Sequence, residues 1–255
     1  MIIQKYPIST RAVVSELIKR KNEELTNLDW ARWAGWFDTD GTFTIRKGKN
    51  TPTVRLAIKD MEPVKLFSET FENTFAFNQF KTVSPQGKTY DAKVYVCEVN
   101  SFGKCKWLAE NMFPYLIGEE KKNNAAKVIG YTPESKPLDE WTKEEALAYF
   151  ATAIDGDGGV QLKHGTSITL SLYSSNAEYL AQVKELMESK FNVNFHMVQS
   201  ATYETKAGTR HRFNIYIGSK KENFDLYKLL VFNNVMTLER KREKILHFLK
   251  LKKEI

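Results

Sequence analysis

The chain contains one stretch twice. The first copy is Trp33-Ala34-Gly35-Trp36-Phe37-Asp38-Thr39-Asp40-Gly41 and the second is Phe150-Ala151-Thr152-Ala153-Ile154-Asp155-Gly156-Asp157-Gly158, so that Asp157 lies 117 residues after Asp40. The same offset joins Trp30 to Leu147, Trp33 to Phe150, Ala34 to Ala151 and Phe37 to Ile154. Each set runs i, i+3, i+4, i+7, the apolar stripe of an amphipathic helix. Both helices are expected to stop at Asp-x-Asp-Gly, with the glycine in the positive-φ region that ends a helix. Acidic side chains are unfavourable at the negative end of a helix dipole, and their repetition there argues for function. Ala34, Gly35, Ala151 and Thr152 leave both helix faces thin enough for close backbone approach. If the two helices pack on each other, their carboxylate ends converge, and converging carboxylates suit a hard divalent cation.

The segments downstream of the two copies repeat as well. After Gly41 the pattern changes to period two: Phe43 and Ile45, then Val54, Leu56 and Ile58, alternate with polar residues. This predicts a hairpin with one apolar face. A helix is expected over Met61–Phe75. A second hairpin should run from Phe80 to Val99, turning at Ser84-Pro85-Gln86-Gly87, before helices at Lys104–Met112 and Lys121–Ile129. The second half should place strands around Val160–Leu162 and Ile168–Leu172 and a helix over Ala177–Phe191. Strands over Phe195–Tyr203 and Arg210–Ile217, turning near Lys206-Ala207-Gly208, then lead to helices at Glu222–Phe232 and Leu238–Leu251. Thr26 with Asp29, and Thr142 with Glu145, resemble capping boxes at the two helix starts. The implied organisation is a basic N-terminal extension over 1–28, a first half over 29–130, an aperiodic linker over 131–138 and a second half over 139–255. In the extension, Val13, Val14, Leu17 and Ile18, among Arg11, Lys19, Arg20 and Lys21, predict a short basic helix, packed on the domain's flank in preference to the alternative of a DNA-contacting arm.

On these two motifs the chain resembles the LAGLIDADG homing endonucleases, in their monomeric form with both motifs in one chain. The resemblance implies an α+β fold of tandem αββαββα repeats. Two four-stranded antiparallel sheets would form a DNA-binding saddle, with the motif helices packed at the central interface. It implies that Asp40 and Asp157, the second acid of each motif, bind the catalytic Mg2+ (or Mn2+ in its place), and that Thr39 and Gly156 offer backbone carbonyls. One departure is Thr152, which occupies the small-residue place that Gly35 fills in the first copy.

The halves also close alike. Glu119-Glu120-Lys121-Lys122 is echoed by Glu239-Arg240-Lys241-Arg242, with Lys121 lying 81 residues past Asp40 and Lys241 lying 84 past Asp157. The resemblance puts a lysine here beside the scissile phosphate; Lys122 and Arg242 adjoin as alternatives. The outward strand positions Thr42, Thr44, Arg46, Arg55, Lys163, Thr169, Arg210, Arg212, Asn214 and Tyr216 are hydrogen-bonding residues suited to base edges and phosphates. Because the halves differ in sequence, the target should be long and non-palindromic. The activity expected is a metal-dependent double-strand break in duplex DNA by a monomer. The alternatives are an intron RNA maturase and a non-cleaving DNA-binding regulator on the same scaffold.

Composition is consistent with this reading. A net charge of +7 favours a polyanionic partner. With 42% apolar residues and 13% aromatic ones, the 255-residue chain can bury real cores. No apolar run approaches the length of a membrane span and no secretory leader is evident, so an intracellular protein is expected. Cys97 and Cys105 form no metal-ligand pattern and are expected to be reduced packing residues. Neither a zinc cluster nor a phosphate-cradling glycine loop appears.

Overall fold

A computed structural model describes residues 11–255, apart from 47, 49, 84–88, 164–165 and 206–207. The expected turn at 84–87 and most of that at 206–208 lie outside the described residues. The chain divides into two compact units. The first gathers residues up to Thr26, Asp40–Pro114 and Glu120–Glu134; the second gathers Asn27–Thr39, Tyr115–Glu119 and Ser135–Ile255.

In the first unit, helix α1 (Arg11–Glu24) precedes strands β1 (Gly41–Arg46) and β2 (Thr51–Ile58), helix α3 (Met61–Thr70), strands β3 (Phe75–Val83) and β4 (Thr89–Val99), and helices α4 (Phe102–Met112) and α5 (Glu119–Ile129). The sheet is antiparallel in the order β1-β2-β4-β3. Helices α3 and α4 pack on it. Phe43, Val54, Leu56, Cys97 and Val99 are buried with Phe67, Phe71, Cys105 and Leu108. Burial pushes both thiols up to about 12, so each stays protonated. Helix α1 buries Val14 and Leu17 and packs on α4, where Trp107 Nε1 donates to Asn22 Oδ1 at 2.8 Å.

Two boundaries differ from expectation. Helix α3 ends at Thr70 and β3 starts at Phe75, whereas the apolar spacing suggested a helix to Phe75 and a strand from Phe80. The reason is a turn: Glu72 takes φ 44°. Asn73 then donates its N–H to Ser68 O at 2.8 Å, and its side-chain amide donates to Glu98 O at 2.9 Å. These bonds tie the helix end to β4 and turn the chain into the sheet.

The second unit repeats the order with helix α6 (Lys143–Asp157), strands β5 (Gly158–Lys163) and β6 (Ser167–Ser174), helix α7 (Ala177–Lys190), strands β7 (His196–Thr205) and β8 (Gly208–Ile217), and helices α8 (Phe224–Phe232) and α9 (Glu239–Leu251). Its antiparallel sheet runs β5-β6-β8-β7, with a register shift between Gln199 and Ala201. Helix α2 (Asn27–Thr39) also belongs here, because it packs on α6. Every residue of α6 from Glu145 to Asp155 is buried. A helix so enclosed must be apolar or small all round, and Ala146, Ala148, Ala151 and Ala153 supply the small faces.

The start of α6 holds the preceding segment in place. Thr142 and Glu145 form the expected capping box. Glu145, only 3% exposed, also receives Lys136 Nζ at 2.9 and 2.8 Å and the Tyr115 hydroxyl at 3.0 Å. Burial alone would raise its pKa, but these donors hold the carboxyl below its usual range. Among the described residues, no helix is long and apolar enough to cross a membrane.

Candidate metal and nucleic-acid site

The two motif helices meet closely at the small residues. A Cβ on Gly35 would lie 2.3 Å from Thr152 Oγ1 and 2.3 Å from Tyr149 O, so no side chain fits there without moving backbone. Ala34, Ala151 and Thr152 have no exposed surface. The Thr152 hydroxyl lies 2.8 Å from Arg32 O across the interface and 3.1 Å from Ala148 O within its own helix. Threonine in place of glycine therefore adds a hydrogen bond to the contact.

The motif glycines end their helices differently from expectation. Gly158 has φ −96° and ψ 173°, ordinary extended backbone, and positive φ among glycines is confined to Gly48, Gly130 and Gly208 in the described residues. The requirement at 158 is space: a Cβ there would sit 2.5 Å from Ile154 O. Helix passes into strand without a linking residue, leaving Asp157 exposed as the last residue of α6. In the first unit, Asp40 is half-buried immediately before β1. Thr39 and Gly156 are half-buried, and the Thr39 hydroxyl bonds back to Gly35 O and Trp36 O at 3.1 Å.

The first acid of each motif has a role that the sequence did not disclose. Asp155 Oδ2 accepts N–H bonds from Thr237 at 2.5 Å and Leu238 at 3.0 Å. These residues lead into α9, whose first N–H groups lack helical acceptors. Burial pushes the Asp155 carboxyl up to about 6, against the pull of those N–H groups and of Lys241 and Arg240. Asp38 is its counterpart: Oδ2 accepts from Ile117 N at 2.7 Å and Oδ1 from Gly118 N at 3.2 Å. Asp38 Oδ2 also accepts the Tyr149 hydroxyl at 2.5 Å. Burial and the Asp38 charge raise the Tyr149 pKa well above the usual value. The available signal was the duplication itself, which repeats both acids.

The basic pair is placed unequally. Lys121 is half-buried and donates to Gly41 O at 2.5 Å. Lys241 is only 4% exposed. Its Nζ donates to Ile154 O at 2.7 Å, Asp155 O at 2.6 Å and Gly158 O at 2.9 Å. Lys122 and Arg242 are half-buried alongside.

The strand register puts the ten polar strand residues on one face of each sheet. In the first, Thr42 pairs with Arg55, which pairs with Glu98, and Thr44 and Arg46 alternate on the same side of β1. In the second, Lys163, Thr169, Tyr216, Asn214, Arg212 and Arg210 share the face opposite the buried Leu170, Leu172, Ile215 and Ile217. Not all are open. Asn214 is 7% exposed, and Arg55, Thr169 and Tyr216 are half-buried. Arg46 is ion-paired with Glu98, and the Arg212 guanidinium stacks 4.4 Å from the Tyr173 ring centre. Gln161, exposed on the same face of β5, was not singled out from sequence.

No group of three or more His, Cys, Asp or Glu residues among the described residues could hold a metal. Each motif instead ends in a carboxylate, Asp40 or Asp157, that adjoins in sequence the carbonyls of a helix's last turn. That donor set is all oxygen, which fits a hard cation such as Mg2+ that keeps several waters. Ile154, Asp155 and Gly158 have already given their carbonyls to Lys241.

A family model described as a LAGLIDADG-like domain matches residues 144–245, from the first turn of α6 into α9. These residues are similar to a LAGLIDADG-like domain. The two-sheet α+β fold is that of the homing endonuclease I-WcaI, solved bound to its DNA recognition sequence, with TM-score 0.51, 15% identity and coverage of 95% of each chain. The LAGLIDADG meganuclease I-AabMI bound to uncleaved DNA aligns with TM-score 0.47 and 12% identity over 88% of this chain and 90% of that one. The N-terminal LAGLIDADG domain of DUF199/WhiA aligns with TM-score 0.44 and 12% identity over 94% of this chain and 100% of that one. No curated protein sequence matches the chain.

Proposed function

We propose that this protein is a site-specific endonuclease that binds a long, non-palindromic duplex and breaks both strands by Mg2+-dependent phosphodiester hydrolysis. The observation that carries the reading is the pair of second motif acids. Asp40 and Asp157 follow the same helical signature, and Asp157 is exposed at the end of a helix whose interior is otherwise buried. An acid retained at the negative end of a helix opposes fold stability; binding a cation is a function that would justify it. Asp40 and Asp157 would hold the divalent cations, with backbone carbonyls of Thr39 and Gly156 beside them. Bound there, the metal would make a water nucleophilic and neutralise charge on the leaving oxygen. A lysine ammonium would stabilise the charge that builds on the phosphate.

The polar sheet faces would hold the duplex. Exposed Arg210, Arg212 and Lys163 suit phosphates or guanine edges, and Thr42 and Thr44 suit either base edges or backbone. Glu98 lies on this face and neutralises Arg46, so the arginine would read DNA only by exchanging that partner. The reading is tested by digesting a randomised duplex library with Mg2+ or Mn2+ and sequencing the cut ends. Asp40→Asn and Asp157→Asn should each abolish double-strand cutting and leave DNA binding intact. Undiminished cutting by either variant would remove that acid from the mechanism.

A further inference from the structure

Lys121 and Lys241 begin alike: each donates to the carbonyl of the glycine that closes its motif, Gly41 or Gly158. An ammonium has three protons to give. All three of those on Lys241 are matched by carbonyls, Ile154, Asp155 and Gly158, and the side chain is 4% exposed. Turning one proton toward a phosphate would break one of these three bonds, at a cost that a solvent-facing lysine does not meet. Lys121 is half-buried and, among the described residues, donates to one carbonyl.

The surroundings of Lys241 form a reciprocal arrangement. The cation from the first turn of α9 sits on the C-terminal carbonyls of α6. The carboxylate of Asp155, from the last turn of α6, sits on the N–H groups of Thr237 and Leu238 that lead into α9. Each helix end thus receives the charge that complements its dipole. Two of the three carbonyls that bind Lys241, those of residues 155 and 158, lie on either side of Asp157. We infer that Lys241 is a positioning residue that, with Asp155, clasps α6 to α9 and sets the place of Asp157, leaving Lys121 as the lysine that acts toward phosphate. The clasp stands on this geometry alone; the assignment of Lys121 rests on the endonuclease reading.

Four proteins test this: wild type, Lys121→Met, Lys241→Met and Lys241→Gln. Lys241→Met should lower the melting midpoint in EDTA by about 5 °C or more, and Lys121→Met should move it by less than about 2 °C. Stabilisation on titrating Mg2+ alone should need about tenfold more Mg2+ in Lys241→Met than in wild type or Lys121→Met, the scale of losing a group that orients a ligand. On a duplex cut by wild type, Lys121→Met should be slowed about 100-fold at saturating Mg2+, whereas Lys241→Met should recover most of the rate there.

Lys241→Gln keeps amide donors without the charge and should show the same shifts at smaller size, so the test survives if Lys241→Met does not fold. A wild-type midpoint in both Lys241 variants would overturn the clasp. So would a lowered saturated rate with an unchanged Mg2+ requirement. If wild type cuts no DNA, the endonuclease reading fails, and the melting midpoints still decide the clasp.

Discussion

Helices α2 and α6 carry the same stretch of sequence and press against each other, yet they do so with unlike side chains. At one position α2 has Gly35 and α6 has Thr152, and the threonine hydroxyl occupies the space where a Gly35 Cβ would be. Their first acids also differ. Asp38 spreads three donors over two oxygens, including the Tyr149 hydroxyl. Asp155 takes two N–H groups on Oδ2 and, among the described residues, its buried Oδ1 has no hydrogen-bond partner. A duplicated element that packs on its own copy cannot keep both copies identical at the closest contact. One copy must give up volume and the other can use it.

The largest effect should come from removing the glycine. Gly35→Ala puts a methyl group 2.3 Å from a backbone carbonyl and should cost about 3 kcal/mol or more in denaturant titration. Thr152→Ala in the same background should recover little, since Tyr149 O stays in place. A Gly35→Ala protein within about 1 kcal/mol of wild type would show that the helices can part without penalty.

Replacing the first acids should separate the copies next. Asp38→Asn must turn an amide NH2 toward one of its donors in either orientation, and should cost about 2–3 kcal/mol. Asp155→Asn can place its NH2 at the unpartnered oxygen and should cost about 1 kcal/mol or less near neutral pH. The Asp155 site also makes stability depend on pH. The folded pKa of Asp155, about 6, lies above its ordinary 3.8, so protonation favours the fold. That advantage is complete below the ordinary value and is lost as pH rises through about 6. From about pH 5 to about pH 7.5, wild type should therefore lose about 1.4 kcal/mol relative to Asp155→Asn. Parallel stability curves for the two proteins would mean that Asp155 is not held in a desolvated site.

An effect as small as that of Asp155→Asn should come from Thr152→Ala, which removes the hydroxyl 2.8 Å from Arg32 O and should cost about 1 kcal/mol or less. A gain in stability instead would make the threonine a tolerated departure rather than a fitted one.

The repeat could be read from the chain because it is local. The i, i+3, i+4, i+7 spacing marks which face of α2 and α6 is buried, and period two marks which face of β1, β2, β5 and β6 turns to the core. Both patterns need only neighbouring residues, so the order of elements in each half and the Thr142–Glu145 capping box were legible. Boundaries set by contacts from afar were not. Helix α3 stops at Thr70 because Asn73 bonds to Glu98 O on β4, and nothing in the apolar spacing of residues 61–75 anticipates that bond.

Sequence alone determined that the chain is a duplication of one α+β unit, with small residues where its motif helices meet and two acids at each helix end. Only the tertiary structure decided which compact unit α2 joins, that Asp38 and Asp155 receive the N–H groups leading into α5 and α9, and that Lys241 surrenders its protons to three carbonyls. Those outcomes depend on partners about 80 residues away in the chain. A side chain's type states what it can bond, and only folding brings it to the groups that need its protons or its charge.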